Sequence, residues 1–202
     1  MIKNLIVAGA LTAVAVGAQA TLTGGVAANQ NPGSFITLST ANVAGGALYA
    51  GNALPAAAIP TNLIPPKTTV GTWLAAGPSN TNNGGGNATV SFSGGTSFVS
   101  FLWGSPDTYN TLSVTTSVTT YTFLATAFPL VVNGDQAFAS YLGFDATGGE
   151  LINSLTFSSP NQNAFEASNF SVTTPIPEPK TYALLLAGLG AIGFMSRRRR
   201  SA

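Results

Sequence analysis

Apolar residues occupy every second position in several short segments in the second half of the chain, and polar residues fill the positions between them. Such alternation is typical of β-strands with one buried face and one face in water. The alternating apolar pairs are Val90 and Phe92, Leu112 and Val114, Tyr121 and Phe123, Leu155 and Phe157, and Phe170 and Val172. Between residues 21 and 175 no segment shows sustained helical periodicity. The pattern therefore predicts an all-β domain.

Turn-forming residues separate these segments at fairly even intervals. Glycine, asparagine, aspartate and proline predict turns at Gly94-Gly95 and in segments 104–107, 133–135 and 147–149. Short strands joined in this way favour an antiparallel β-sandwich or jelly roll. We place this domain in residues 21–174, where about 150 residues suffice to bury a core without disulfides or a metal.

The signals are regular over residues 88–174 but are difficult to interpret over residues 21–86. Short apolar segments at 35–38 and 70–74 look like strands, but clusters of Gly, Pro and Asn separate them. Segment 80–87 reads NTNNGGGN and is expected to be a flexible loop, because it has no apolar side chain to bury.

Residues 1–20 have the three parts of a secretory signal peptide. Lys3 supplies the positive charge, residues 5–16 are apolar, and Ala18 and Ala20 fit the small residues that precede a cleavage site. We expect a signal helix that signal peptidase removes by cutting before Thr21. The alternative is an N-terminal membrane anchor, for which the apolar run is short.

A second set of signals lies over residues 175–202. Pro177-Glu178-Pro179 is a stiff, non-helical tripeptide. An apolar segment follows over about residues 181–196, and Arg197-Arg198-Arg199-Arg200 comes directly after it. A helix of this length spans about 24 Å, somewhat less than the hydrocarbon core of a bilayer. Arginines beside a transmembrane helix stay in the cytoplasm, so the domain is expected outside the cell.

This order of features resembles the PEP-CTERM sorting signal of Gram-negative bacteria. The resemblance implies that an exosortase, a processing enzyme of the inner membrane, recognises Pro177-Glu178-Pro179 and removes the tail near it. The transmembrane helix would then hold the protein in the inner membrane only transiently. A permanent single-span anchor with a proline-rich stalk is the alternative.

Two blocks within the body carry a second resemblance. Residues 103–112 read WGSPDTYNTL, and residues 163–166 read NAFE. They resemble a family of exosortase-dependent surface proteins with the pattern W-G-S-x-D-x-Y-N-x-L followed by N-A-F-E. The resemblance covers about residues 88–175 and implies a surface location and a β-rich body, without an assigned activity.

The first of these blocks also contains the densest polar cluster beside a tryptophan. Trp103 and Tyr109 could stack on a sugar ring while Asp107 and Asn110 bond its hydroxyls. Alternatively, Asp107 caps a turn by bonding to nearby backbone N–H groups while Trp103 fills the core. The sequence leaves both interpretations open and favours the structural one.

Composition limits the chemistry further. The chain has no His and no Cys, and charged residues make up 6% of it. Between residues 21 and 180 two bases face six acids, a net charge of −4, which is unlike a nucleic-acid-binding surface. The scattered acids match no calcium-loop spacing, and a hydrolase using two opposed carboxylates has no recognisable motif here.

These observations predict an exported, exosortase-processed protein of the cell surface or extracellular matrix, without catalytic activity or cofactor. The alternative is a carbohydrate-binding module of jelly-roll type that binds extracellular polysaccharide. The expected partners are signal peptidase and exosortase during processing, with no nucleic acid.

Overall fold

The computed structural model describes residues 11–14, 21–27, 33–51, 63–77, 86–160, 164–173 and 188–189. The regular structure of this part is β-strand, apart from a 3₁₀ turn at Ala125–Ala127 and helical residues 188–189. The strands are β1 (Leu11–Val14), β2 (Thr21–Ala27), β3 (Ser34–Phe35), β4 (Val43–Gly45), β5 (Ala47–Ala50), β6 (Thr72–Ala76), β7 (Ala88–Thr96), β8 (Phe98–Gly104), β9 (Thr111–Thr116), β10 (Thr120–Leu124), β11 (Ala139–Thr147), β12 (Ile152–Ser158) and β13 (Phe165–Thr173). The prediction of an all-β domain is confirmed.

The strands form two antiparallel sheets. Sheet A has the order β1-β2-β11-β8-β13-β6-β5, with β3 also paired to β13, and sheet B has the order β10-β9-β12-β7-β4. From β7 to β13 the chain passes repeatedly from one sheet to the other, and only β9 and β10 follow each other within a sheet. This crossing pattern favours the jelly-roll type of sandwich.

The alternation in the sequence decides which side chains enter the space between the sheets. On β9, Leu112 and Val114 are fully buried, and their neighbours on β10, Phe123 and Tyr121, lie on the same face. The intervening Thr and Ser residues point to solvent on the other face of sheet B. Burial of one apolar face against the opposite sheet provides the main driving force for this arrangement.

Aromatic rings join the two sheets in the core. Phe157 of β12 meets Phe101 of β8 edge to face, with centroids 5.1 Å apart and planes at 89°. Phe170 of β13 stacks on Phe101 with centroids 5.5 Å apart and also meets Phe157 edge to face at 5.8 Å. Edge-to-face and stacked pairs add to the free energy of simple burial, so these rings fix how the sheets are aligned.

Sheet A is also covered on its outer face, which explains why every residue of β8 is buried. Residues 63–70, which we call the strap, lie over β8 and β13. Pro66 packs so closely on Gly104 that a Cβ at residue 104 would lie 2.8 Å from the Pro66 Cα. Beside the strap, a small second core contains Leu63, Trp73 and Ala164.

The poorly interpretable residues 21–86 therefore supply strands to both sheets. The predicted strand at 70–74 appears as β6, shifted by two residues, whereas of the one predicted at 35–38 only Phe35 lies in a strand, β3. Leu11–Val14, within the predicted signal peptide, forms strand β1 and not the expected helix, because it pairs with β2 from Thr21 to Gly24. Cleavage before Thr21 would remove β1 and leave β2 at the edge of sheet A.

One predicted turn is wrong. Gly94 and Gly95 lie inside β7 and not between strands. Both have positive φ, 78° and 74°, and they lie where the register of β7 against β12 shifts between Ile152 and Ser154. Glycine is needed here because the bulge requires a left-handed backbone.

Candidate functional site: the loop after β8 and the buried carboxyl of Glu166

The polar cluster predicted from sequence lies in residues 105–110, which connect β8 in sheet A to β9 in sheet B. Its geometry is that of a closed turn. The Asn110 backbone N–H donates to the Asp107 carbonyl at 3.0 Å. In return, the Asp107 backbone N–H donates to Asn110 Oδ1 at 2.8 Å. The turn is therefore held by both its backbone and a side chain.

Asn110 is fully buried and connects this loop to the chain before β13. Its Nδ2 donates to the Ala164 carbonyl and to Ser159 Oγ, both at 3.3 Å. Its carbonyl accepts the backbone N–H of Ala125 at 2.9 Å. Every polar group of this residue thus serves the fold, and none is offered to a ligand.

Trp103 is fully buried as well. Its indole is sandwiched among rings of the core, with Phe165 stacked on it and Phe128 edge-on at 6.2 Å. A sugar ring cannot reach it in this fold, so the structure does not support an aromatic platform at Trp103. The alternation of β8 places Trp103 on the same inner face as Phe101, which is why it enters the core.

Asp107 and Tyr109 are the partly exposed members of the cluster. The Tyr109 hydroxyl donates to Asp107 Oδ2 at 2.6 Å. Burial and the neighbouring Asp107 raise the pKa of Tyr109 above its usual value, so the phenol keeps its proton. The Tyr109 hydroxyl and the Asp107 carboxylate are therefore bonded to each other at the surface of the loop.

The strongest electrostatic feature of the cluster comes from the NAFE block, which the sequence did not connect with loop 105–110. Glu166 of β13 is 1% exposed, and its Oε2 accepts the Ser105 hydroxyl at 3.0 Å. Burial raises the pKa of Glu166 to about 8, and the charge of Asp107 acts in the same direction. Hydrogen bonds from Ser105 and from the backbone amides of Glu166 and Ile64 oppose that rise.

A second buried carboxyl lies at the other end of the strands. Glu150 precedes β12, and its Oε1 accepts the hydroxyls of Thr116 and, at 3.4 Å, Tyr121. Its Oε2 is buried without a hydrogen-bond partner. Register places Gly104, next to Glu166, opposite Ala139 at the start of β11, whereas Glu150 follows the end of β11.

This placement bears on the hydrolase and calcium interpretations. Glu150 and Glu166 lie at opposite ends of the strands, so they do not form an opposed pair around one substrate bond. The charge of Asp107 raises the pKa of Glu166, but Glu166 is closed off from solvent. Among the residues that the structure describes, no group of three or more acidic side chains could hold a metal ion.

The two sequence blocks that resemble surface proteins meet in the fold. Trp103 stacks on Phe165, Ser105 bonds Glu166, and Asn110 bonds Ala164. Sequence reasoning recognised both blocks, but nothing in either showed that they are neighbours. Their pairing arises because β8 and β13 are adjacent in sheet A.

The terminal signals lie mostly outside the described residues. These include Ala18 and Ala20, Pro177-Glu178-Pro179, Arg197-Arg198-Arg199-Arg200 and all of segment 181–196 except residues 188–189. In the part of the chain that is described, no helix has the length and apolar character needed to cross a membrane.

Comparison with protein families identifies the tail. A family model described as the PEP-CTERM protein-sorting motif matches residues 175–200. The resemblance drawn from the sequence of the tail is thereby confirmed. The resemblance of the body to a surface-protein family stays a prediction. Searches among curated proteins and among solved structures found no match.

Proposed function

We propose that this chain is an exported protein of the cell surface or extracellular matrix, processed by an exosortase, whose β-domain has no catalytic activity. The observation that carries the proposal is the sorting motif at residues 175–200. Proteins with this motif are exported with a C-terminal sorting signal. A signal peptide over residues 1–20 would deliver the chain to the enzyme that reads that motif.

In this proposal the tail acts before the mature protein exists. Segment 181–196 halts in the inner membrane, with the arginines at 197–200 on the cytoplasmic side. The exosortase then cuts near Pro177-Glu178-Pro179. The domain leaves the membrane and is retained at the surface or released into the matrix.

The test compares the mature protein in cells with and without the exosortase. With the enzyme, intact mass should correspond to a chain that starts at Thr21 and ends near Pro177-Glu178-Pro179. Without it, the tail should remain and the protein should fractionate with the inner membrane. Glu178→Ala should act like loss of the enzyme, whereas Asp135→Ala, an exposed acid in the body, should not. The same mass and location in both strains would refute the proposal.

Three features of the domain support a role without catalysis. Both buried carboxyls bond hydroxyls that belong to the fold. The chain has no His to act as a base and no Cys to act as a nucleophile. The polar cluster after β8 closes on itself instead of opening into a cleft. A broad hydrolase screen on the secreted form would test this, and turnover abolished by Glu166→Gln would refute it.

A second candidate function, binding of neutral polysaccharide, is favoured by the outer face of sheet B. Hydroxyl side chains lie side by side there across four strands. One row consists of Thr122, Ser113, Thr156 and Thr89, and the next of Thr120, Thr115, Ser154 and Ser91. None carries a charge, and all are at least partly exposed. A neutral hydroxylated polymer could exchange hydrogen bonds with such a face.

Each of these hydrogen bonds would contribute only about 1 kcal/mol net, so binding would depend on many contacts along one polymer. The test is retention of the domain on the host's exopolysaccharide. Replacing Thr89, Thr122 and Thr156 by Val removes three hydroxyls with little change of shape and should weaken retention. Val at Thr21 and Thr147, which bond each other at 2.6 Å between β2 and β11 of sheet A, is the control. Equal retention of both variants would refute this use of the face.

A further inference from the structure

The strap over residues 63–70 is fastened to the outer face of sheet A at several points. Thr69 Oγ1 lies 2.9 Å from Ser168 Oγ, and both side chains are buried. Asn169 holds two further groups of the strap: its Oδ1 accepts the Val70 N–H at 2.7 Å, and its Nδ2 donates to the Thr68 carbonyl at 3.1 Å. The side chains that form these hydrogen bonds, Ser168 and Asn169, are consecutive residues of β13.

The carboxyl of Glu166 forms the remaining contact with the strap. It accepts the backbone N–H of Ile64, at the beginning of the strap, together with the Ser105 hydroxyl. Pro66 covers the adjacent Gly104. The first half of the strap is therefore held to sheet A by one buried ionisable group and by packing, whereas the second half is held to the sheet by neutral hydrogen bonds. Within the strap, the Pro66 carbonyl accepts the backbone N–H and the hydroxyl of Thr69.

The groups that face Glu166 give its charge no compensation. Loop 105–110 brings Asp107, whose negative charge raises the pKa of Glu166, and Tyr109, whose raised pKa keeps it protonated. The flanking strands β6 and β8 contain no ionisable side chain. The strap contributes Lys67, whose side chain is exposed. No basic group is among the charges that act on Glu166.

We propose that the strap is a latch, and that its first half, residues 63–67, detaches from sheet A when Glu166 loses its proton. A carboxylate in this position is desolvated and lies near Asp107, so water must reach it. The strap is the layer that excludes water. Lifting its first half hydrates Glu166 while the bonds to Ser168 and Asn169 keep the second half in place. At alkaline pH, residues 63–67 would therefore leave the outer face of sheet A.

The chain provides a direct probe of this movement. Lys67 is the only Lys or Arg between residues 4 and 179, so trypsin can cut the body only at the Lys67–Thr68 bond. That bond lies in the strap, and Thr68 has φ of 71°, a conformation unlike the extended one that a protease requires. Cleavage therefore requires residues 63–67 to leave sheet A and Thr68 to leave this conformation, so it reports detachment of the first half of the strap.

The experiment measures the rate of trypsin cleavage at Lys67 in the full chain from pH 6 to pH 9.5. Rates are divided by those of a synthetic peptide with the sequence of residues 61–72, which removes the enzyme's own pH dependence. The wild type should show at least a tenfold rise in relative rate, with a midpoint near pH 8. Glu166→Gln, which keeps an acceptor for Ile64 but cannot ionise, should show no rise.

Two further measurements separate the latch from general unfolding. Circular dichroism should stay native at pH 9, because the strands of both sheets keep their pairing when only the strap moves. Asp107→Asn should shift the midpoint to lower pH, because it removes a charge that opposes ionisation of Glu166. A rise of equal size in wild type and Glu166→Gln, no rise in the wild type, or a rise that coincides with loss of native spectra would each overturn the proposal.

Discussion

The indole of Trp103 lies flat against the ring of Phe165, with centroids 4.1 Å apart and planes 9° from parallel. Trp103 belongs to β8 and Phe165 to the adjacent β13, so the contact joins two segments about 60 residues apart in sequence. The Nε1 of Trp103 is buried without a hydrogen-bond partner. The residue that looked most like a ligand platform is therefore a central part of the core.

We expect Trp103→Ala to destabilise the domain by about 3–5 kcal/mol, because it removes a large buried ring and leaves a cavity. Trp103→Phe should cost far less, since it keeps a ring against Phe165 and eliminates the unpaired N–H. Urea unfolding followed by circular dichroism measures both. A near-neutral Trp103→Ala would show that the ring does not lie in the core.

Asn110 should be nearly as sensitive although it is polar. Asn110→Ala leaves the buried Ala164 carbonyl and the Asp107 N–H without their partner, which costs about 1–3 kcal/mol. Asn153→Ala, at an exposed position on β12, is the matched control and should stay within about 0.5 kcal/mol of wild type. Equal midpoints of thermal unfolding for the two variants would contradict the assignment of Asn110 as the residue that closes the turn.

Glu166 should make the stability of the whole domain fall with rising pH. Its pKa is about 8 in the fold against an ordinary value of 4.5, so between these values the unfolded chain releases a proton that the folded chain keeps. The contribution is fully present below pH 4.5 and is lost as pH rises towards 8, at about 1.4 kcal/mol per pH unit.

Glu166→Gln should flatten this decline and should be more stable than the wild type at pH 8.5, as measured by urea unfolding across the pH range. Glu178→Gln, in the tail, changes the same chemical group outside the domain and should leave the decline intact. A wild type whose stability rises from pH 5 to pH 8 would contradict the ionisation behaviour assigned to Glu166.

Two glycines with left-handed backbone should respond differently to alanine. Gly71 has φ of 76° and open space around it, so Gly71→Ala should cost about 1 kcal/mol of backbone strain. Gly46 has φ of 59°, and a Cβ there would lie 2.6 Å from the Ala88 Cβ and 2.7 Å from the Ala75 carbonyl oxygen.

Gly46→Ala should therefore cost about 2–4 kcal/mol, because strain and overpacking add. Differential scanning calorimetry of the two variants provides the comparison. If Gly71→Ala proved the more damaging, the close approach of β5, β6 and β7 around residue 46 would be wrong.

The sequence by itself determined the features that depend on neighbouring residues. Alternation such as Leu112, Val114 marks a strand because side chains of a strand point to opposite faces in turn. The tail was recognisable because a sorting enzyme reads a short linear motif, so its residues need no fold to be identified. The turn predicted at Gly94-Gly95 was wrong because glycine occurs in β-bulges as well as in turns, and the local sequence does not distinguish the two.

The tertiary structure decided everything that depends on which segments become neighbours. The burial of Trp103 follows from the pairing of β8 with β13 and from the packing of the two sheets against each other, neither of which is visible in the local pattern. Glu166 reads as an ordinary exposed acid until the strap excludes water from it, and only then does its pKa rise. Burial is a property of the assembled layers, whereas alternation is a property of the chain, and this difference separates what could be predicted here from what could not.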